Sequence, residues 1–266
     1  MEAVVNKKVK LRNGENINII GVGLQRIDDE NFLVEVILAA FYLGYRRFDL
    51  SYYYKKESLV ANAILRSNRK REEFYLTSAI DSQSVNVNEV NIEFERILND
   101  LKMSYLDLLI IDPSKGNWRI TYKVLLELQK QKKIRSIGVK DFSLEQLIDL
   151  HKEFKNYPEV LFIKLSPGKY NSPLIDFCKK NNIKIQAMHL MMKGNVERVR
   201  AIQLLAMKYE STEYQIVMRW ALQRNIIASP QVFSLISLLE NIGINYFKLS
   251  EKDLKEIDTL NYKKNV

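Results

Sequence analysis

Eight short apolar runs recur along the 266-residue chain, separated by longer, mostly amphipathic segments, and this alternation constrains the fold more than any other feature. The runs are "NINIIGVG" (16–23), "RRFDLS" (46–51), "EFYLTS" (73–78), "LDLLIID" (106–112), "RSIGVK" (135–140), "VLFIKLS" (160–166), "IKIQAMH" (183–189) and "NIIAS" (225–229). Their length and apolar character are those of buried strands. Between them the periodicity changes. Residues 86–101 put Val90, Phe94, Ile97 and Leu101 on one helical face. Capping boxes open two further helices, Ser143 with Gln146 and Thr212 with Gln215, and 249–260 reads as another capped helix.

Strands that alternate with helices form a parallel sheet. Eight such units in about 250 residues match the size of a closed (β/α)8 TIM barrel, here a single α/β domain over 1–266. A doubly wound sheet is the rival, but no Gly-x-Gly-x-x-Gly turn follows any run. Chemistry in a barrel gathers at the C-terminal ends of its strands. That rule selects Asp49, Ser78, Asp112, Lys140, Lys164, Met188, His189 and Ser229, with the loops that follow them.

Composition narrows the function classes. A hydrophobic content of 47% supports a large core. The formal charge of +9 favours an anionic partner: a phosphorylated ligand, an acidic protein or nonspecific nucleic acid. No recognition motif accompanies that charge, so a specific nucleic-acid role is not indicated. The single cysteine, Cys178, excludes an intramolecular disulfide and reads as a buried thiol. Two histidines, His151 and His189, cannot build a His-rich metal site. No apolar run approaches a membrane span and the first residues do not form a signal peptide, so a soluble, cytoplasmic protein is expected.

Several stretches together resemble the aldo-keto reductases, NADPH-dependent (β/α)8 enzymes. "GYRRFDLSYYY" (44–54) is similar to the family's Gly-Tyr-Arg-x-x-Asp-x-x-x-x-Tyr segment, and "KKIRSIGVKDFSLEQL" (132–147) to its Lys-Ile-Arg-x-Ile-Gly-Val-Ser-Asn-Phe motif. "STEYQIVMRWALQRNI" (211–226) and "FKLSEKDLKEIDTLN" (247–261) resemble its C-terminal segments, and the match runs from about Val9 to Leu260. The resemblance implies a Tyr that donates a proton to a carbonyl, assisted by Asp, Lys and His. Asp49 and Tyr54 stand at the Asp and Tyr positions. Ser78 is read at the position of the Lys and Asp112 at that of the His.

The cofactor positions implied by the resemblance are altered too. Lys140 and Asp141 replace the Ser-Asn pair that holds the nicotinamide amide, Phe162 replaces a Gln, and Met188 replaces the Tyr that stacks on the ring. After the eighth run, Gln231, Val232 and Ser237 replace the Lys, Ser and Arg that grip the 2′-phosphate, whereas Glu240 and Asn241 match. A phenol ordinarily titrates near 10, and a cation beside it is what lets it act near neutrality. Loss of that cation predicts weakened reduction.

Three functions follow as expectations. The first is a non-reducing pseudoenzyme, with NADP not bound in the usual way, acting as a binding or regulatory partner through a protein partner or a homodimer. The second is a working NAD(P)H-dependent carbonyl reductase with a rearranged site, in which Lys164 or Lys140 replaces the missing amine beside Asp49 and Tyr54. Lys164 stands two residues after Phe162, so both project from one strand face. The third is a cofactor-independent acid–base or Schiff-base site built from Asp49, Tyr54, Asp112, Lys140, Lys164 and His189.

Overall fold

The computed structural model describes residues 4–25, 27–50, 55–81, 86–112, 117–170 and 172–260. The chain begins with an antiparallel hairpin of β1 (Lys8–Lys10) and β2 (Asn16–Asn18). Then follow β3 (Val22–Gly23), α1 (Glu30–Tyr42), β4 (Arg47–Asp49), α2 (Glu57–Arg66), β5 (Tyr75–Asp81), α3 (Val87–Leu101), β6 (Leu106–Asp112) and α4 (Trp118–Lys130). The second half contains β7 (Ile134–Lys140), α5 (Leu144–Phe154), β8 (Val160–Lys164), α6 (Pro173–Lys180), β9 (Lys184–Met188), α7 (Arg200–Lys208), α8 (Glu213–Gln223) and β10 (Ile227–Ala228). It closes with α9 (Leu235–Ile242) and α10 (Glu251–Asp258).

Strands β3 to β10 pair in sequence order, every pair parallel. Parallel bridges from Ile20 to Ala228 and from Gly23 to Gln231 join the first strand to the last and close the ring. The expected (β/α)8 barrel is therefore the fold. Its first run differs from expectation. "NINIIGVG" is not one strand: Asn16–Asn18 pairs back on Lys8–Lys10, and the run joins the barrel through the Ile20 bridge and the strand Val22–Gly23. The hairpin carries Leu11 and Ile17 into a cluster with Tyr75, Leu108, Ile110, Val160, Phe162 and Ile227. Those residues alternate along the strands with the ones packed on the helices, so they fill the lumen and the hairpin closes one end of it.

The helix layer has the caps that the sequence implies. Asn86 accepts from the Glu89 amide at the start of α3, and Ser143 and Thr212 complete capping boxes with Gln146 and Gln215. The face Val90, Phe94, Ile97 and Leu101 is fully buried. No helix among the described residues is long and apolar enough to cross a membrane.

Candidate active site

Side chains on a strand alternate between its two faces. In β4 that alternation turns Phe48 to the helix layer and Arg47 and Asp49 into the lumen. Asp49 is 2% exposed. Its Oδ2 accepts from Gln186 Nε2 at 2.6 Å and from Ser229 Oγ at 2.5 Å. Arg47, wholly buried, brings Nη2 to 3.9 Å of the same oxygen. Burial lowers the Arg47 guanidinium from its ordinary range, and the Asp49 charge opposes that shift.

In β5 the same alternation decides between neighbours. Leu76 and Ile80 pack in the helix-facing core, whereas Tyr75 and Ala79 touch the lumen cluster. Ser78 shares the parity of Leu76 and Ile80, and its Oγ is buried without a hydrogen-bond partner among the described residues. The mouth residue of β5 at this level is thus Ala79, not Ser78. This corrects the sequence assignment by one position, and the consequence for charge is unchanged: β5 offers no amine beside Asp49.

An amine stands on the neighbouring strands. Asp112, at the end of β6, accepts a hydrogen bond from Lys140 Nζ at the end of β7. The Asp112 side chain is 6% exposed and that of Lys140 28%. The pair stands at the barrel rim, and Asp81 on β5 is the register partner of Asp112. One ammonium therefore sits beside the buried Asp112 carboxylate. Lys164, two strand positions beyond the buried Phe162, is exposed.

The other sequence-selected residues spread around the rim. Met188 is half-buried against the lumen cluster and is the register partner of Lys164. Asp141 is exposed, has φ of 53°, and donates its amide to Phe162 O at 2.8 Å. Gln231 is half-buried at the bridge to Gly23, and Asn241 is buried within α9. His189 is exposed in a left-handed conformation, φ 58°. Tyr54 lies outside the described residues. Cys178 is buried, its thiol pushed up to about 12 by desolvation, as expected of a packing residue. No group of three or more metal-ligating side chains occurs among the described residues.

Sequence reading missed Arg47 and Gln186. The available signal was spacing: Arg47 is two residues before Asp49 and so shares its face. Gln186 is the one polar residue within the buried stretch Ile185–Ala187.

The aldo/keto reductase family model matches residues 20–262. The chain belongs to this family. Among its relatives, glyoxal reductase of Bacillus subtilis (strain 168) is 31% identical over 262 residues, covering 98% of this chain and 95% of that protein. The NAD(P)H-dependent D-xylose reductase of Scheffersomyces stipitis is 29% identical, covering 95% of this chain and 93% of that protein. The crystal structure of MGS-M4, an aldo-keto reductase enzyme from a Medee basin deep-sea metagenome library, superposes with a TM-score of 0.90 at 30% identity, covering 97% and 96% of the two chains. These matches overturn the expectation of a non-reducing pseudoenzyme kept as a binding or regulatory partner. Proteins similar over almost the whole chain are named as reductases, and the substituted rim still assembles a charged site.

Proposed function

We propose that this chain is a nicotinamide-dinucleotide-dependent reductase of small aldehydes and dicarbonyls, with its proton-handling site rearranged. The observation that carries the reading is the Lys140–Asp112 pair on the rim, which supplies an ammonium from β7 where the lumen-facing positions of β5, Thr77, Ala79 and Asp81, include no amine. Lys140 takes this role in preference to Lys164, because Asp112 fixes the Lys140 amine in place whereas Lys164 extends into solvent. Tyr54 is the proton donor in this reading. The Lys140 cation favours its phenolate and so eases proton release to a carbonyl oxygen. Asp49, held by Gln186 and Ser229, completes the site.

The strand ends suit a dinucleotide. Met188 offers a half-buried thioether on the lumen rim, and Asp141 and Gln231 offer polar atoms nearby on the same rim. Beyond them α9, capped by Ser234, presents the free amides of a helix N-terminus, which suit a phosphate. When bound, the dinucleotide supplies the hydride. The relative named NAD(P)H-dependent supports this choice of cofactor, and the relative named glyoxal reductase supports a small dicarbonyl substrate.

The test is turnover. Purified protein should oxidise NADPH or NADH in the presence of glyoxal, methylglyoxal or a simple aldehyde, and Tyr54→Phe should abolish that rate. Absence of turnover with every substrate and both nucleotides would refute the proposal.

A further inference from the structure

We propose that Arg47 is the positioning residue of this site: its guanidinium, carried across the lumen over Gly21, is the counter-charge that orients the Asp49 carboxylate through Gln186 and Ser229. The inference rests on the reductase reading above and deepens it.

The route of the side chain is the first observation. In the ring, β3 lies between β4 and β10. An arginine on β4 that is to reach β10 must cross the chain leading into β3. The residue at the crossing is Gly21, and a Cβ there would stand 2.4 Å from Arg47 Nε and 2.8 Å from Nη2. Only glycine leaves that passage open. Beyond it, Nη2 donates to Ala228 O at 2.7 Å and to Ser229 Oγ at 2.6 Å, and Nη1 donates to Gln186 Oε1 at 3.1 Å.

The second observation is what those bonds do to Asp49. Because Gln186 Oε1 accepts from Arg47, its amide nitrogen is turned to Asp49 Oδ2. Because Ser229 Oγ accepts from Arg47, its own proton is directed to the same oxygen. Oδ2 is saturated by two donors with the guanidinium behind them. Oδ1, equally buried, has no hydrogen-bond partner among the described residues. One oxygen is thus locked by the scaffold and the other is left to receive a donor during the reaction. A purely structural role fits this less well. The lumen also holds an apolar cluster that includes Leu108, Val160 and Ile227, and an apolar side chain at 47 would extend it without desolvating a cation.

The experiment is a double-mutant cycle of Arg47→Met and Asp49→Asn, with Arg47→Lys as the conservative variant, read as kcat and KM for the reduction that the wild-type enzyme catalyses best. Arg47→Met should lower kcat about 100-fold with KM changed less than about threefold, and Arg47→Lys should recover roughly tenfold of that loss. In the Asp49→Asn background the same Arg47→Met change should cost less than about threefold further. Wild-type kcat in Arg47→Met, or a full additional loss in the Asp49→Asn background, overturns the proposal. Should Arg47→Met not fold, Gly21→Ala keeps the charge and displaces it; a folded Gly21→Ala enzyme with unchanged kcat also overturns it. An inactive wild-type protein would sink the reductase reading instead. The same four proteins compared by urea unfolding then decide this one: coupling between positions 47 and 49 supports it, and additivity refutes it.

Discussion

Lys140 donates to Asp112 across the β6–β7 edge at the rim of the barrel. The carboxylate is nearly buried and the amine is partly open to solvent. A buried anion gives the ammonium a fixed place; in the proposed reading Asp112 orients and Lys140 faces the reaction. Asp112→Asn keeps the volume and removes the charge. It should reduce kcat by roughly tenfold, with smaller change in KM, because Lys140 then samples rotamers that carry it away from the rim. Steady-state kinetics of the variant check this; unchanged kcat would show that Lys140 needs no such anchor.

Nucleotide preference should be weak. From Ser229 to Gly243 the chain carries no Lys or Arg, and its one charged residue is Glu240. A 2′-phosphate bound by this corner meets no guanidinium or ammonium from it. The ratio of kcat/KM for NADPH over NADH should lie within about tenfold of unity, since one phosphate contact to a cation is commonly worth at least that. A ratio in the thousands would locate a cation elsewhere on the site.

Gly168 is a stability hinge between the loop after β8 and the C-terminal segment. It has φ of 72°, donates to Ile257 O at 2.8 Å, and would bring a Cβ to 2.1 Å of Leu260 O. Gly168→Ala therefore combines a strained backbone with a clash against main chain. A loss on the order of 2 kcal/mol or more is expected in urea denaturation.

Asp253, in the first turn of α10, gives a pH signature. Burial tends to raise its carboxyl, but hydrogen bonds from Lys208, Ser250 and Tyr209 outweigh that and hold it down at about 2. A carboxyl depressed in the folded state adds stability above its unfolded value and loses it as pH falls through the folded one. Asp253→Asn should thus melt below wild type at pH 7. The two melting curves should converge between the ordinary carboxylate range and about pH 2. A constant gap across that range would show that the contribution is packing rather than charge.

The barrel was legible because periodicity is a repeated signal: eight runs and their capped helices agree with one another. "LDLLIID" is the whole of β6, and both capping boxes form. The hairpin was hidden because Asn16–Asn18 and Val22–Gly23 are contiguous apolar sequence, and only pairing separates them. Ser78 and Ala79 show a second limit. Motif comparison locates a position to within a residue, but in a strand one residue is the difference between lumen and helix layer. Arg47 was missed for a different reason. A lysine- and arginine-rich chain makes any single arginine look solvated, and the face that Arg47 shares with Asp49 in "YRRFD" does not by itself show that its guanidinium passes over a glycine more than twenty residues away. Asp112 stands where the resemblance calls for a histidine, and the sequence alone does not show that Lys140 pairs with it.

The most direct measurement compares NAD(P)H oxidation with glyoxal by the wild-type enzyme, Lys140→Met and Lys164→Met under identical conditions. Wild type and Lys164→Met should turn over at similar rates, while Lys140→Met should fall by roughly 100- to 10,000-fold, the range for loss of an acid–base partner. A wild-type protein without turnover, or a Lys140→Met enzyme as fast as wild type, would contradict the rearranged-reductase reading.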